Sequence, residues 1–192
     1  MQPIHLPGGK QWLYLWLWAL LILPLSASVQ ASADAWVVVD THSRTLSVYD
    51  NGLMIVEFRN IAIGRGGTAQ ERYEGDDKTP LGTFHIVWMN MNSRYHIFLG
   101  LDYPTMEYAT RALQRNSIND SEYLSIKTAI ENNEIPPQDT SLGGYIGIHG
   151  LGNGSIKIHR KFDWTKGCIA VTNEQIERLA QIVRLGTKVV IR

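Results

Sequence analysis

The only cysteine in the chain is Cys168, in the run Thr165-Lys166-Gly167-Cys168-Ile169, and a histidine-glycine pair, His149-Gly150, precedes it. One thiol forms no internal disulfide, so its placement asks for another use. A free thiol, with a pKa of about 8.5, is only partly ionised at neutral pH. An imidazole held beside it takes its proton and later returns that proton to a leaving amine. Gly167 lets the chain turn so that backbone N–H groups point at one oxygen, which is what an acyl-transfer intermediate requires. The competing reading is a buried, inert cysteine that acts as a small hydrophobe.

These two side chains need a scaffold. His149 follows Tyr145-Ile146-Gly147-Ile148, which reads as a strand that fixes the ring at its end. Upstream, Trp36 to Asp40, Thr45 to Tyr49 and Met54 to Ile63 read as an antiparallel meander, with Asp50-Asn51-Gly52 as a tight turn. Gly64 to Asp77 is a glycine-rich charged loop, and His85 to Met89 is a fourth strand. Residues 90–145 carry weaker strand signals and one helical spacing, Ser121 to Asn132, so they read as a lid-like insertion that joins strands without extending the sheet. After the cysteine, Thr172 and Gln175 fit a capping box, Ile176, Leu179 and Val183 share a helical face, and Gly186 is placed to end that helix. Lys188 to Ile191 closes the chain as a strand. The expected fold is mostly β with one or two flanking helices.

The N-terminus reads as a separate unit. Lys10 is the sole Lys, Arg, Asp or Glu in residues 1–33; it precedes the apolar stretch Trp12 to Leu25 and then Ala31-Ser32-Ala33, an A-x-A cleavage site. The apolar stretch falls short of the roughly 20 residues a membrane-spanning helix needs. Residues 1–33 are therefore expected to be a secretory signal peptide, with residues 34–192 as one domain and no stable membrane span after cleavage; an uncleaved N-terminal anchor is the alternative, since the tryptophans make the segment sticky. The whole chain has 18 basic and 18 acidic side chains. That balance gives no electrostatic reason to expect nucleic acid as a partner.

The order of the pair narrows the class. Papain-like peptidases place cysteine before histidine. Sortases place histidine first, but with a longer separation and an arginine after the cysteine on a facing strand; Arg178 and Arg184 here fall on the expected helix. The chain instead resembles the L,D-transpeptidase catalytic domain of the YkuD type. That signature is a histidine, some 14 to 17 residues, then Ser/Thr-His-Gly-Cys and a hydrophobic residue. Here His149 is followed by residues 150–164 and then by Thr165-Lys166-Gly167-Cys168-Ile169. Thr79, Pro80, Gly82 and Phe84 match a second recurring element. Two positions depart from the pattern: Lys166 replaces the usual second histidine, and Ala170 stands where many members carry arginine or asparagine.

The resemblance implies a β-sandwich and a peptidoglycan stem peptide as substrate. By it, Cys168 attacks the carbonyl between the L-centre of a diamino acid and the terminal D-alanine, and His149 moves the proton. The Gly150 carbonyl orients His149, and the backbone N–H groups of Gly167 and Cys168 hold the oxyanion. The thioester then passes to an amine on another stem, to a lipoprotein lysine, or to water. No cofactor or metal is needed. An exported, periplasmic enzyme of wall biogenesis follows as the expectation. An L,D-carboxypeptidase or an amidase releasing wall-linked protein is the alternative on the same fold, and a non-catalytic wall-binding module is the alternative in another class.

Further residues carry weaker expectations. Thr165, Lys166, Arg65 and Tyr95 are candidate substrate contacts. Arg94 and Tyr108 lie in the insertion, where they would face glycan or peptide. His159 alternates with apolar neighbours and is expected in a strand or on the surface. His85 and His96 are expected to be structural, and Trp164 to pack against the cysteine turn.

Overall fold

The structure, a computed structural model, describes Met1 and residues 35–192. The expected signal segment 1–33 lies outside the described residues apart from Met1. The first strand, β1 (Trp36–Asp40), is a run of three valines between a tryptophan and an aspartate, all three valines buried. It pairs antiparallel with β2 (Thr45–Asp50), which pairs antiparallel with β3 (Leu53–Arg59). The β2–β3 turn is Asn51-Gly52, both at positive φ (48° and 78°), the pairing that a two-residue hairpin with right-handed twist favours. The expected third strand stops early, at Arg59. Residues 61–63 leave β3 and run instead beside the cysteine turn.

Two short strands, β4 (Thr68–Ala69) and β5 (Thr79–Pro80), pair parallel at the base of the charged loop. A long strand, β6 (Gly82–Ser93), follows and returns through Arg94-Tyr95 as β7 (His96–Leu101). The boundary expected at residue 90 thus falls inside a strand. Residues 90–145 do extend the sheet, through the end of β6 and all of β7. They also supply two packed helices, α1 (Met106–Gln114) and α2 (Asp120–Glu131). Asn119 caps α2 in a full capping box with Glu122, and Glu122 also accepts from Ser141 N at 2.7 Å, tying the helix to the loop that leads into the site.

The remaining elements are β8 (Gly147–His149), a one-turn helix α3 (Ile156–His159), β9 (Ile169–Ala170), α4 (Asn173–Ile182) and β10 (Lys188–Ile191). The expected Thr172–Gln175 capping box opens α4. Gly186 does not cap it: the helix ends at Ile182, and Gly186 lies in the following turn, its N–H on the Ile86 carbonyl at 2.8 Å. Ile176, Leu179 and Ile182 point α4 into the core against β7 and β8.

One eight-stranded sheet runs in the order β3-β2-β1-β10-β6-β7-β8-β9. Its two ends meet, because Ala62 pairs with Ala170 and Gly64 with Thr165. The sheet is curled on itself, and a single apolar core fills it, with Val37, Val39, Leu46 and Val48 from one half and Leu99, Leu101, Ile148 and Ile169 from the other. This is the mostly β sandwich expected. The closure also matters for chemistry: it brings the charged loop 64–78 over the end of β9, where the cysteine lies.

Candidate active site

His149 and Cys168 sit on neighbouring strands. β8 and β9 pair in parallel, with Ile148 opposite Ile169 and His149 opposite Ala170, and Cys168 immediately precedes β9. Both side chains line one cleft of about 690 Å³. The imidazole is 2 % exposed. Its Nδ1 lies 2.7 Å from the Gly150 carbonyl, a bond that assigns the proton to Nδ1 and leaves Nε2 as the basic nitrogen. Gly150 is held in turn. A Cβ there would come within 2.7 Å of the Tyr95 carbonyl and 2.8 Å of Asn173 Oδ1, so only glycine lets these segments approach. Asn173, at the start of α4, accepts from the N–H groups of Leu151 and Gly152 and donates to the Gly152 carbonyl, pinning the chain just past the histidine.

Aromatic rings enclose the base. Tyr95 stacks on the imidazole at 4.2 Å between centroids, and Phe98, its cross-strand partner on β7, lies parallel at 5.9 Å. Trp164 presents an edge at 5.7 Å. The stack continues outward, with Trp88 on Phe98 and the Arg94 guanidinium over Tyr95. Removal from water disfavours the charged ring and lowers the His149 pKa to about 4; the Gly150 bond opposes this, while His159 and Arg94 add to it. Trp164 therefore does more than pack beside the cysteine turn. It donates from Nε1 to His159 Nδ1 at 3.4 Å, and His159, expected in a strand or at the surface, is buried at the end of α3. The alternation of Ile156, Ile158 and His159 is that of a single helical turn.

The thiol is held by backbone. Cys168 Sγ donates to the Tyr145 carbonyl at 3.2 Å. Desolvation raises its pKa to about 11, opposed by the Gly147 N–H and by the charge of Arg72. Burial thus works toward the uncharged form of both groups. Gly167 has φ +122°, and a Cβ there would sit 2.6 Å from the Lys78 carbonyl. The sharp turn therefore depends on glycine in both conformation and space.

The Thr165 hydroxyl is turned inward, donating to the Cys168 carbonyl at 2.6 Å and accepting from the Gly167 N–H at 3.2 Å. Thr165 lines the cleft, and its hydroxyl braces the cysteine turn. The Gly167 N–H, one of the two expected oxyanion donors, is engaged by that hydroxyl. A second brace went unnoticed in the sequence: Asp163 forms a bidentate ion pair with Arg44 and accepts from the Ile63 N–H at 2.8 Å. That clamp ties the segment entering the cysteine turn to the β1–β2 turn, a link no local pattern signals.

Of the other expected contacts, Lys166, Arg65 and Tyr95 all line the cleft. Lys166 is exposed. Arg65 binds Asp77 through Nε at 2.6 Å and remains 61 % exposed. Tyr108 lies elsewhere, its hydroxyl bonded to the carbonyls of Ala69 and Leu81. His85 pairs with Asp102 and His96 with Glu177, both at the surface. Among the described residues, no group of three or more His, Cys, Asp or Glu is placed to hold a metal ion, and no helix is long and apolar enough to cross a membrane.

A curled sheet with a strand histidine beside a glycine-cysteine turn defines a fold class that the comparisons identify. The profile of the YkuD L,D-transpeptidase catalytic domain matches residues 34–191, and the chain belongs to that family. In structure it is similar to the helical cell shape determining protein Pgp2 of Campylobacter jejuni, at 23 % identity and TM-score 0.56 over 86 % of this chain and 51 % of that one. It is also similar to Bd1075 of Bdellovibrio bacteriovorus, at 22 % identity and TM-score 0.51 over 85 % and 51 % respectively. The chain thus spans about half the length of these neighbours. None of the curated proteins is significantly similar to it in sequence.

Proposed function

We propose that this chain is an exported cysteine L,D-transpeptidase acting on peptidoglycan stem peptides. The observation that carries this is the juxtaposition in one cleft of the Cys168 turn and an Nδ1-protonated His149, within a chain of the YkuD family. The imidazole Nε2 accepts the thiol proton as Sγ attacks the carbonyl between the diamino acid and the terminal D-alanine. Nε2 is the nitrogen free to take that proton, because Nδ1 is held by the Gly150 carbonyl. The Cys168 N–H faces the oxyanion. The C–N bond then breaks, His149 returns its proton to the departing D-alanine amine, and a thioester remains. An incoming amine, on a second stem peptide or a lipoprotein lysine, gives up a proton to His149 and displaces the sulfur, and the thiol is restored. One amide is exchanged for another, so no electrons change hands and no cofactor takes part.

Residues 1–33 serve as the export signal, and the site of action is the periplasm. The structural similarity to Pgp2, a protein described as determining helical cell shape, supports a role in shaping the wall. Purified residues 34–192 are to be incubated with a disaccharide-tetrapeptide ending in D-alanine, and the products weighed by mass spectrometry beside Cys168→Ala. Loss of D-alanine together with a cross-linked dimer, both absent in the variant, is expected. Loss of D-alanine without a dimer points to hydrolysis or to a protein acceptor, and no reaction in either sample overturns the substrate assignment.

A further inference from the structure

The cleft that holds His149 is also lined by a cation with an unusual lack of hydrogen-bond partners. Arg72 is 4 % exposed, and among the described residues its Nε and Nη1 have no hydrogen-bond acceptor. Its nearest carboxylate oxygen, Asp76 Oδ1, is 3.5 Å away and already accepts the Lys78 N–H at 2.9 Å. Nη2 makes one long bond, 3.4 Å, to the Tyr73 carbonyl. The Tyr103 ring lies under the guanidinium at 5.3 Å. Burying a guanidinium without good acceptors is costly, and such a group is stable where a ligand completes it.

The other cations of the cleft are accounted for. Arg65 is bound to Asp77, and Arg94 lies over Tyr95 with a bond to its hydroxyl. Lys166 is a solvated ammonium at the rim. Only Arg72 is fixed, desolvated and under-bonded, and it lines the same cleft as Cys168 and His149. Its charge is also felt at the thiol, where it favours the thiolate.

The proposed substrate supplies the missing anion. In a stem ending in D-alanine, the terminal carboxylate carbon lies roughly 3.5 Å from the attacked carbonyl carbon, three bonds away. A carboxylate that close to the reacting atom enters the same cleft, where a desolvated guanidinium lacking acceptors is a matching partner. We propose that Arg72 binds the free C-terminal carboxylate of the donor peptide, so that the site accepts only the last residue of a chain as leaving group. A planar guanidinium makes two parallel bonds to a carboxylate, which fixes the leaving residue in orientation as well as in place. This inference rests on the acyl-transfer reading above.

Matched tetrapeptides ending in D-alanine and in D-alaninamide separate the two ideas. Wild-type protein is expected to favour the acid by roughly 10- to 100-fold in kcat/KM, the worth of one charge-assisted contact. In Arg72→Gln the preference should fall to about unity, mainly through the acid's rate, and Arg72→Lys should restore part of it. A variant that merely loosens the fold would lower both substrates together and leave the ratio standing. Equal turnover of acid and amide by the wild type overturns the carboxylate assignment while leaving the acyl transfer intact, and needs no variant to fold. An acid preference that survives Arg72→Gln, or that vanishes in Lys166→Ala instead, overturns it as well. No turnover of the acid at all removes the reaction itself and the inference with it.

Discussion

The two walls of the cleft are built on opposite principles. The His149 wall is aromatic and tightly sealed: Tyr95, Phe98 and Trp164 exclude water from a ring that makes one strong hydrogen bond. The other wall, from the loop 64–78, is charged: Arg65 is paired with Asp77, and Arg72 lies 3.5 Å from Asp76 with its Nε and Nη1 lacking a hydrogen bond. The first wall sets the protonation state of the base by desolvation. The second sets which substrate charge is welcome. Cys168 lies between them, its pKa raised by burial and drawn down by Arg72. Division of labour of this kind lets one wall change specificity without disturbing the base on the other.

The largest break in that division is removal of the base. His149→Gln keeps an amide near the Gly150 carbonyl but cannot carry a proton, so kcat should fall by about 10²- to 10⁴-fold. The same variant tests the sealing. A histidine held neutral in the fold, with its pKa lowered from 6.5 to about 4, binds fewer protons folded than unfolded. Its contribution to stability is therefore complete above pH 6.5 and declines as pH falls from there toward 4. Denaturation midpoints measured between pH 4 and 7 should drop on acidification in the wild type and drop less in His149→Gln. A wild-type midpoint no more acid-sensitive than the variant's would mean that the ring is not buried neutral.

Next in size is the turn that joins the walls. Gly167→Ala must relieve a φ of +122° and a 2.6 Å approach to the Lys78 carbonyl, which belongs to the charged loop. The variant should lose roughly 1 to 3 kcal/mol of stability and a larger share of activity, since the turn also aims the Cys168 N–H. Thermal melting and turnover measured together check this; a variant with full activity would show that the turn tolerates a different geometry.

Legibility in the sequence followed the range of the forces involved. Strand β1 and strand β10 were readable because dense β-branched runs specify strands locally, and the α4 capping box because its three-residue spacing is local too. Strand β7, His-Ile-Phe-Leu-Gly-Leu, is buried on both faces from its second residue onward, so it shows no alternation and reads in the sequence as part of an insertion. Helix α1 buries Tyr108 and two alanines, Ala109 and Ala112, too small to mark a hydrophobic face in the sequence. At the site, His149, Cys168 and their glycines announce themselves by type and spacing. Asp163 and Arg72 do not, because what they do depends on partners distant in the chain, and Thr165 does not, because its residue type alone leaves open which way the hydroxyl turns. The Thr165 hydroxyl bonds within its own turn, Asp163 reaches back to Arg44, and Arg72 is buried by segments more than 25 residues away.

The finest test of the comparison removes one ring from the aromatic wall. Tyr95 covers a face of His149 and carries Arg94 above it, and both features hold the imidazole neutral: the ring by excluding water, the guanidinium by repelling a second positive charge. Tyr95→Ala admits water and releases Arg94, and the two effects share a sign, so the His149 pKa rises from about 4 toward 6.5. Because the base must be neutral in the free enzyme to act, the acid limb of kcat/KM should move up with it. At pH 5 the variant is then slower by about tenfold if its limb reaches pH 6, while near pH 8 the gap nearly closes. Tyr95→Phe keeps the cover and loses only the bond to Arg94, so its limb should stay close to the wild type's. If instead Tyr95→Ala lowers kcat/KM equally at all pH values, Tyr95 serves the substrate and not the base, and the aromatic wall owes its sealing to Phe98 and Trp164.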